Sequence, residues 1–261
     1  MSHPVTRALS LLLLALFLLP AQAEEITSIS AAINKAGRQR MLSQRMVKSY
    51  CMIGIDVQRE DAEEQLAKAI DLFDLQLKEL YAYPPAEPIR ASLDQVDALW
   101  QPFKKVLKAP ISRSNAEILM ETNDELLRAT NKVVLKLQDI SGTSFGRLVN
   151  VAGRQRMLSQ RMAKFYMLRA WGFDNAEIQA EMEQARNEFK GALTELVAAK
   201  ENSPDIQREL KEASKQWELF NHGLDRNKEN LVPLIAAMSS ENLLNKMNQI
   251  TGMYEMLATK Q

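Results

Sequence analysis

The chain has 261 residues with 33 basic and 33 acidic side chains, so its formal net charge at pH 7 is zero. This neutrality disfavours nucleic acid as a partner. Glycine is scarce and aromatic residues make up only 6% of the chain, whereas Leu, Ala, Glu, Lys and Gln are common, a composition that favours helix nearly throughout.

The first predicted element is an N-terminal leader. Arg7 precedes the apolar run Ala8–Leu19, and Ala21–Ala23 has the small residues of a cleavage site, a pattern typical of a secretory signal peptide. We predict that residues 1–23 are removed and that the mature chain is periplasmic; an uncleaved anchor is the alternative. Because Cys51 is the single cysteine, no internal disulfide can form and stability must come from a hydrophobic core.

The sequence after the leader is a tandem duplication. The stretch AGRQRMLSQRM occurs at Ala36–Met46 and again at Ala152–Met162, and residues match at this separation, or one position more, along nearly the whole chain. The matched pairs include Asn34 with Asn150, Lys48 with Lys164, Phe73 with Phe189, Trp100 with Trp217 and Asn131 with Asn248. Two copies of this length indicate two domains rather than solenoid repeats, and we place them at 24–140 and 141–261.

Prolines and N-cap residues divide each copy into four segments with helical apolar periodicity. Ser28, or Thr27 before it, is a candidate first N-cap, Pro102 either kinks the third helix or ends it early, and Ser203-Pro204 has the form of an N-cap followed by proline. The predicted helices lie at 27–57, 59–83, 86–108, 113–140, 143–171, 174–201, 203–226 and 230–258. The predicted fold class is therefore all-α, with two tandem up-down-up-down four-helix bundles.

The link between the copies decides how the bundles are arranged. A turn at Ser141-Gly142 would let the two bundles lie side by side as an internal pseudo-dimer. A continuous helix through 141–146 would instead place them end to end. We expect the side-by-side arrangement.

Cations are concentrated on the first helix of each copy. The sequence contains no Asp or Glu from Ile26 to Ile55 or from Ser141 to Phe173. The basic residues in and next to the repeated motif are Lys35, Arg38, Arg40 and Arg45 in the first copy and Arg154, Arg156 and Arg161 in the second.

One arginine in each copy lies one helical turn after a glycine: Arg40 follows Gly37, and Arg156 follows Gly153. A glycine inside a helix costs about 1 kcal/mol relative to alanine, but it allows another backbone or a ligand to approach closely. If the two first helices face each other, the two guanidinium groups converge. Burying them unpaired would cost several kcal/mol each, so a planar oxyanion between them is predicted.

A purely structural interpretation stays open, in which the arginines pair with carboxylates such as Asp124, Glu125 or Glu241. The repeated methionines are more typical of core packing than of a copper site. Only His222 follows the leader, which disfavours histidine-dependent catalysis and histidine-rich metal sites. We therefore expect neither an enzyme nor a bound cofactor or metal.

The stretches INKAGRQRMLSQRM and VNVAGRQRMLSQRM resemble the signature helix of nitrate/nitrite sensor kinases (NarX-like). They are still more similar to the N-terminal domain of type IV pilus methyl-accepting chemotaxis transducers (PilJ-type). The resemblance implies a four-helix periplasmic bundle that senses a small ligand. In the nitrate sensors one anion sits between paired first helices, held by the glycine backbone and the first arginine of the motif.

Carried over to this chain, those positions are Gly37, Arg40, Gly153 and Arg156. Lys35 matches a further basic position of the nitrate sensors, and Val151 replaces it in the second copy, so a site here would be asymmetric. The chain also departs from the nitrate sensors at Arg38 and Arg154, which replace a small polar residue, and at Gln44 and Gln160, which replace an aromatic one.

These observations predict an exported sensory protein that recognises a small oxyanion, nitrate or nitrite first, and signals through a separate membrane sensor or envelope protein. The predicted ligand-binding residues are Gly37, Arg40, Gly153 and Arg156, with accessory roles for Lys35, Arg38, Arg45, Arg154 and Arg161. The mature chain is not expected to span the membrane. The alternative is a structural or protein-interaction scaffold of the cell envelope, linked to type IV pili or to chemosensory signalling.

Overall fold

The computed structural model describes residues 25–84, 87–225 and 232–260, and the predicted signal peptide lies outside these residues. The described residues form eight α-helices and no strand, which confirms the predicted all-α fold. The helices are α1 (Ile29–Gly54), α2 (Arg59–Ala82), α3 (Glu87–Leu107), α4 (Arg113–Ser141), α5 (Ser144–Ala170), α6 (Ala176–Ala198), α7 (Pro204–Leu224) and α8 (Pro233–Ala258). Each helix begins and ends within about three residues of its predicted position, although the ends predicted at 86, 226 and 230 fall outside the described residues.

Helix starts follow the local capping signals. The Ser28 hydroxyl accepts a hydrogen bond from the Ala31 amide at 3.1 Å, so Ser28 rather than Thr27 caps α1. Ser203 caps α7, with Pro204 in the first turn where no amide hydrogen is needed. Pro102 lies inside α3, which continues to Leu107, so the alternative in which this proline ends the helix early is wrong.

A tight turn links the two copies. Helix α4 ends at Ser141, and Gly142 adopts the left-handed conformation with φ 58°, which glycine allows without a steric penalty. The Thr143 hydroxyl then accepts from the Gly146 amide at 3.0 Å and starts α5. The alternative of a continuous helix through 141–146 is therefore excluded, and the bundles lie side by side.

Helices α1 and α5 form the centre of the molecule. They pack more extensively on each other than any other pair; α1 also contacts α2, α4 and α8, and α5 also contacts α4, α6 and α8. Each bundle has the same aromatic pair in its core, with ring centroids 4.1 Å apart for Trp100 on Phe73 and 4.4 Å apart for Trp217 on Phe189. Because neighbours surround α1 and α5 on most sides, the polar residues of the repeated motif are held in the interior.

Candidate functional site

The two glycines of the repeated motif lie where α1 and α5 approach each other. A Cβ atom added to Gly37 would be 3.3 Å from Nη2 of Arg40 and 3.6 Å from Nη2 of Arg156. A Cβ atom added to Gly153 would be 3.2 Å from Nη2 of Arg156 and 3.7 Å from Nη2 of Arg40. Both guanidinium groups therefore converge on the space between the two glycines, and we call Arg40 and Arg156 the arginine pair.

Neutral groups hold the first member of the arginine pair. Nη1 of Arg40 donates to Oδ1 of Asn131 at 2.8 Å. Nη2 donates to Oδ1 of Asn150 at 2.8 Å and to the main-chain oxygen of the same residue at 3.3 Å. Asn131 belongs to the same bundle as Arg40, whereas Asn150 lies on α5 of the other bundle, so the side chain of Arg40 bridges the two copies.

The second member repeats this arrangement with one contact fewer. Nη1 of Arg156 donates to Oδ1 of Asn248 at 2.9 Å, and Nη2 donates to the main-chain oxygen of Asn34 at 3.2 Å. The side chain of Asn34 instead donates through Nδ2 to Oε2 of Glu255, and its own Oδ1 is buried without a hydrogen-bond partner. In the first half of the site, Nδ2 of Asn150 donates to Oε1 of Gln138 at 2.6 Å.

Both guanidinium groups are buried charges without a carboxylate partner among the described residues. Arg40 is 1% exposed and Arg156 is 0% exposed, and Nε of each has no hydrogen-bond partner. Burial, followed by the charge of Arg154, lowers the pKa of Arg40 to about 9. Burial, followed by the charges of Arg38 and Arg40, lowers the pKa of Arg156, and Glu255 opposes this shift. The surroundings therefore disfavour the positive charge on both arginines, yet a guanidinium group does not readily lose its proton.

The accessory residues lie outside the arginine pair. Arg38 is close enough to lower the pKa of Arg156. Four other cations are held by acids: Lys35 by Glu79 at 2.9 Å, Arg45 by Glu241 at 2.6 Å, Arg154 by Glu188 at 2.6 Å, and Arg161 by Asp124 at 2.8 Å and by Glu181 at 2.5 Å. The interpretation in which the cations pair with carboxylates therefore holds for these four residues, since each charge already has an acidic partner.

Sequence reasoning did not assign a role to the amides around the arginine pair. Asn131 and Asn248 hold the two Nη1 atoms, and Asn34 and Asn150 contact the two Nη2 atoms. In the sequence all four stand only as matched positions of the duplication. Asn34 and Asn150 carry a further signal, because a polar residue kept in both copies on the buried face of a helix needs a hydrogen-bond partner there.

The arginine pair lies one amide away from open space on either side. Asn131 lines a cleft of about 180 Å³ between α4, α5 and α6, together with Arg128 and Arg154. Asn248, which holds Arg156, is itself exposed. A single amide side chain therefore separates the Nη1 side of each guanidinium group from open space.

A family model described as "Type IV pili methyl-accepting chemotaxis transducer N-term" (PilJ) matches residues 22–126 and, a second time, residues 142–251. The chain belongs to the PilJ family. The predicted tandem PilJ-type repeat is thereby confirmed, and the family is sensory rather than catalytic. A comparison with curated proteins and with solved structures finds no match.

The PilJ family suggests that partners belong to chemosensory systems at the membrane. Within the three described segments, no helix combines the length and apolarity needed to cross a membrane.

Proposed function

We propose that this chain is an exported sensory protein that binds one small oxyanion between Arg40 and Arg156. Nitrate and nitrite are the favoured ligands. The observation that carries the proposal is the convergence of two buried guanidinium groups on Gly37 and Gly153 without a carboxylate partner among the described residues. Buried charges in proteins are normally paired, because leaving them uncompensated costs several kcal/mol. An anion between the two groups would supply the missing charge.

The hydrogen-bonding state of the arginines favours a planar anion. On each guanidinium group Nη1 is engaged by an asparagine side chain, whereas Nε has no partner. Nε and Nη2 form one edge of the fork, which donates two parallel hydrogen bonds to a planar oxyanion. Nη2 of Arg156 donates only to a main-chain oxygen at 3.2 Å, a contact that an anion can replace.

The narrow space favours a small ligand. An added Cβ at either glycine would be 3.2–3.3 Å from the nearest guanidinium nitrogen, so an entering anion must take the place of a present Nη2 contact and the space it gains is small. Nitrate and nitrite are planar, singly charged and small, whereas sulfate and phosphate are larger tetrahedral ions. We infer that the glycines allow the guanidinium groups to lie close to the backbone, and that the narrow space between the two helices excludes the larger ions.

Binding at this position would bear on the contact between the two bundles, because each arginine joins one bundle to the other. Replacing a contact to Asn34 or Asn150 with an anion contact would alter the α1–α5 packing. We propose that a membrane-bound chemosensory partner reads this change, and that the chain meets this partner in the periplasm after its leader is removed.

A thermal melt of the chain without its first 23 residues tests the proposal. The melt is repeated at fixed ionic strength with nitrate, nitrite, chloride, sulfate and phosphate. A ligand at a hundredfold its dissociation constant adds about 2.7 kcal/mol to the unfolding free energy, which should raise Tm by several degrees. We expect this rise with nitrate or nitrite only. Equal melting temperatures in all five salts would contradict oxyanion binding.

Calorimetric titration of arginine variants tests whether there is one shared site. Arg40→Lys and Arg156→Lys keep the charge but lose the planar fork, so each should abolish nitrate binding while the bundle stays folded. Arg147→Ala is the matched control, because Arg147 lies on α5 and is half exposed in an ion pair with Glu195. If each lysine variant instead retained half of the stoichiometry, the two copies would bind independently and the shared site would be wrong.

The alternative of an envelope scaffold is favoured by one observation, namely that Arg45 and Arg161 of the motif are ion-paired across the bundle interface. A scaffold needs no ligand, so Arg40→Lys would then lower Tm by the same amount in every salt. Under the binding proposal, the Tm difference between this variant and the wild type should widen when nitrate is added.

A further inference from the structure

The two halves of the arginine pair differ by one charge. Asn150 and Asn34 occupy equivalent positions, and each donates its Nδ2 to a residue on the last helix of the other bundle. That residue is Gln138 on α4 and Glu255 on α8, and both are partly exposed. They are themselves equivalent, since each lies seven residues after the asparagine that holds Nη1, Asn131 or Asn248. The same hydrogen bond is therefore made to a neutral amide in one half and to a carboxylate in the other.

We propose, building on the anion site proposed above, that Glu255 weakens anion binding at the arginine pair and thereby sets its affinity. The carboxylate of Glu255 is separated from Arg156 by Asn34. It stabilises that guanidinium charge in the empty protein and repels an incoming anion. Gln138 makes the corresponding hydrogen bond without either effect. This layer of residues behind the asparagines adds to the asymmetry that Lys35 and Val151 already give the two copies.

Two further observations support a direct electrostatic action of Glu255. Its charge raises the pKa of Arg156, against burial and the charges of Arg38 and Arg40, which lower it. The half of the site that contains Glu255 also has one hydrogen bond fewer to its guanidinium group, because Oδ1 of Asn34 has no partner while Oδ1 of Asn150 accepts from Arg40. Glu255 therefore acts through its charge on the arginine that has more hydrogen-bonding capacity left for an anion.

The chain offers a charge exchange as the test. Glu255→Gln removes the charge but keeps an oxygen that can accept from Asn34, as Gln138 does for Asn150. Gln138→Glu places the charge behind the other half of the site. Nitrate affinity is measured by calorimetry for the wild type, for both single variants and for the double variant. Glu218→Gln, an exposed position on α7, controls for the loss of one negative charge elsewhere.

We expect Glu255→Gln to bind nitrate roughly threefold to tenfold more tightly than the wild type, and Gln138→Glu to bind it more weakly by a similar factor. The double variant should return close to the wild-type affinity, and Glu218→Gln should not differ from it. These differences should shrink at about 0.5 M inert salt, since a residue that is partly exposed is screened.

A merely structural role for Glu255 predicts a different result. In that case Glu255→Gln would bind nitrate as the wild type does, because the hydrogen bond to Asn34 is kept, and the inference would be overturned. Binding of equal strength in all four proteins would overturn it while leaving the anion site intact. A lack of nitrate and nitrite binding in all four would overturn the anion site itself, and the role of Glu255 with it.

Discussion

Two ionic clusters join the bundles at equivalent places but differ in how they satisfy a buried lysine. In the α1–α8 cluster, Glu241 accepts from Arg45 at 2.6 Å and from Lys48 at 2.5 Å. In the α4–α5 cluster, the equivalent acid is Asp124, which accepts from Arg161 at 2.8 Å but lies 4.0 Å from Nζ of Lys164. Lys164 donates instead to the amide oxygen of Asn123 at 2.9 Å.

We attribute this difference to the length of one acidic side chain. Glutamate at 241 reaches both cations, whereas aspartate at 124 is one methylene shorter and reaches only the arginine closely. Burial lowers the pKa of both lysines, and the neighbouring arginine of each cluster lowers it further; the pKa of Lys164 falls to about 7. Two nearly identical helices thus hold the same lysine in different electrostatic environments.

The largest effect is expected when the shared acid of the α1–α8 cluster is removed. Glu241→Gln leaves Lys48 buried and without its carboxylate, which should lower the unfolding free energy by about 3 kcal/mol. Asp124→Asn should cost roughly half as much, because Arg161 keeps Glu181. Urea unfolding with a constant m-value measures both changes.

Glu64→Gln is the control for these two variants. Glu64 forms an exposed ion pair with Lys68, so its removal should cost less than about 1 kcal/mol. Equal costs for Glu241→Gln and Asp124→Asn would contradict the explanation based on side-chain length.

The second effect is a pH dependence that comes from Lys164. Its pKa is about 7 in the folded chain and about 10.4 in an unfolded chain, so between these values the unfolded state binds more protons. The folded state must therefore become more stable as pH rises from about 7 to about 10, by at most about 1.4 kcal/mol per pH unit. Lys164→Met lacks this contribution.

Urea unfolding of the wild type and of Lys164→Met across this pH range gives the contribution as a difference, because the other titrating groups are common to both proteins. Cys51 does not disturb this difference in the folded state, because burial raises its pKa to about 12 against the charge of Lys164, so the thiol stays protonated over this range with or without the lysine. Parallel pH profiles for the two proteins would show that Lys164 stays charged in the folded chain.

The smallest effect should come from exchanging the two acids. Asp124→Glu should bring the carboxylate closer to Lys164, raise the pKa of that lysine and flatten the pH profile above neutrality. Glu241→Asp should do the opposite for Lys48. Each change should alter the unfolding free energy at pH 7 by about 1 kcal/mol or less, so the slope against pH is the measurement of choice. An unchanged slope in Asp124→Glu would mean that backbone position, not side-chain length, separates the clusters.

Local sequence determined the helices and their division into two copies. Apolar periodicity, N-caps such as Ser28 and Ser203, and the turn at Gly142 act within a few residues, so the eight helices could be predicted close to their observed ends. The same short-range geometry places Gly37 and Arg40 one turn apart on one face of α1. The repeat of that pair at Gly153 and Arg156 follows from the duplication.

Only the tertiary structure decided which arginines have acidic partners. Arg40 and Arg45 belong to one short motif, yet Arg45 meets Glu241 whereas Arg40 meets Asn131 and Asn150. The partners come from α4, α5 and α8, far away in the chain. Helical periodicity defines the face on which a side chain lies, but it carries no information about which distant helix covers that face. The unpaired charge of the arginine pair therefore results from how the two bundles pack.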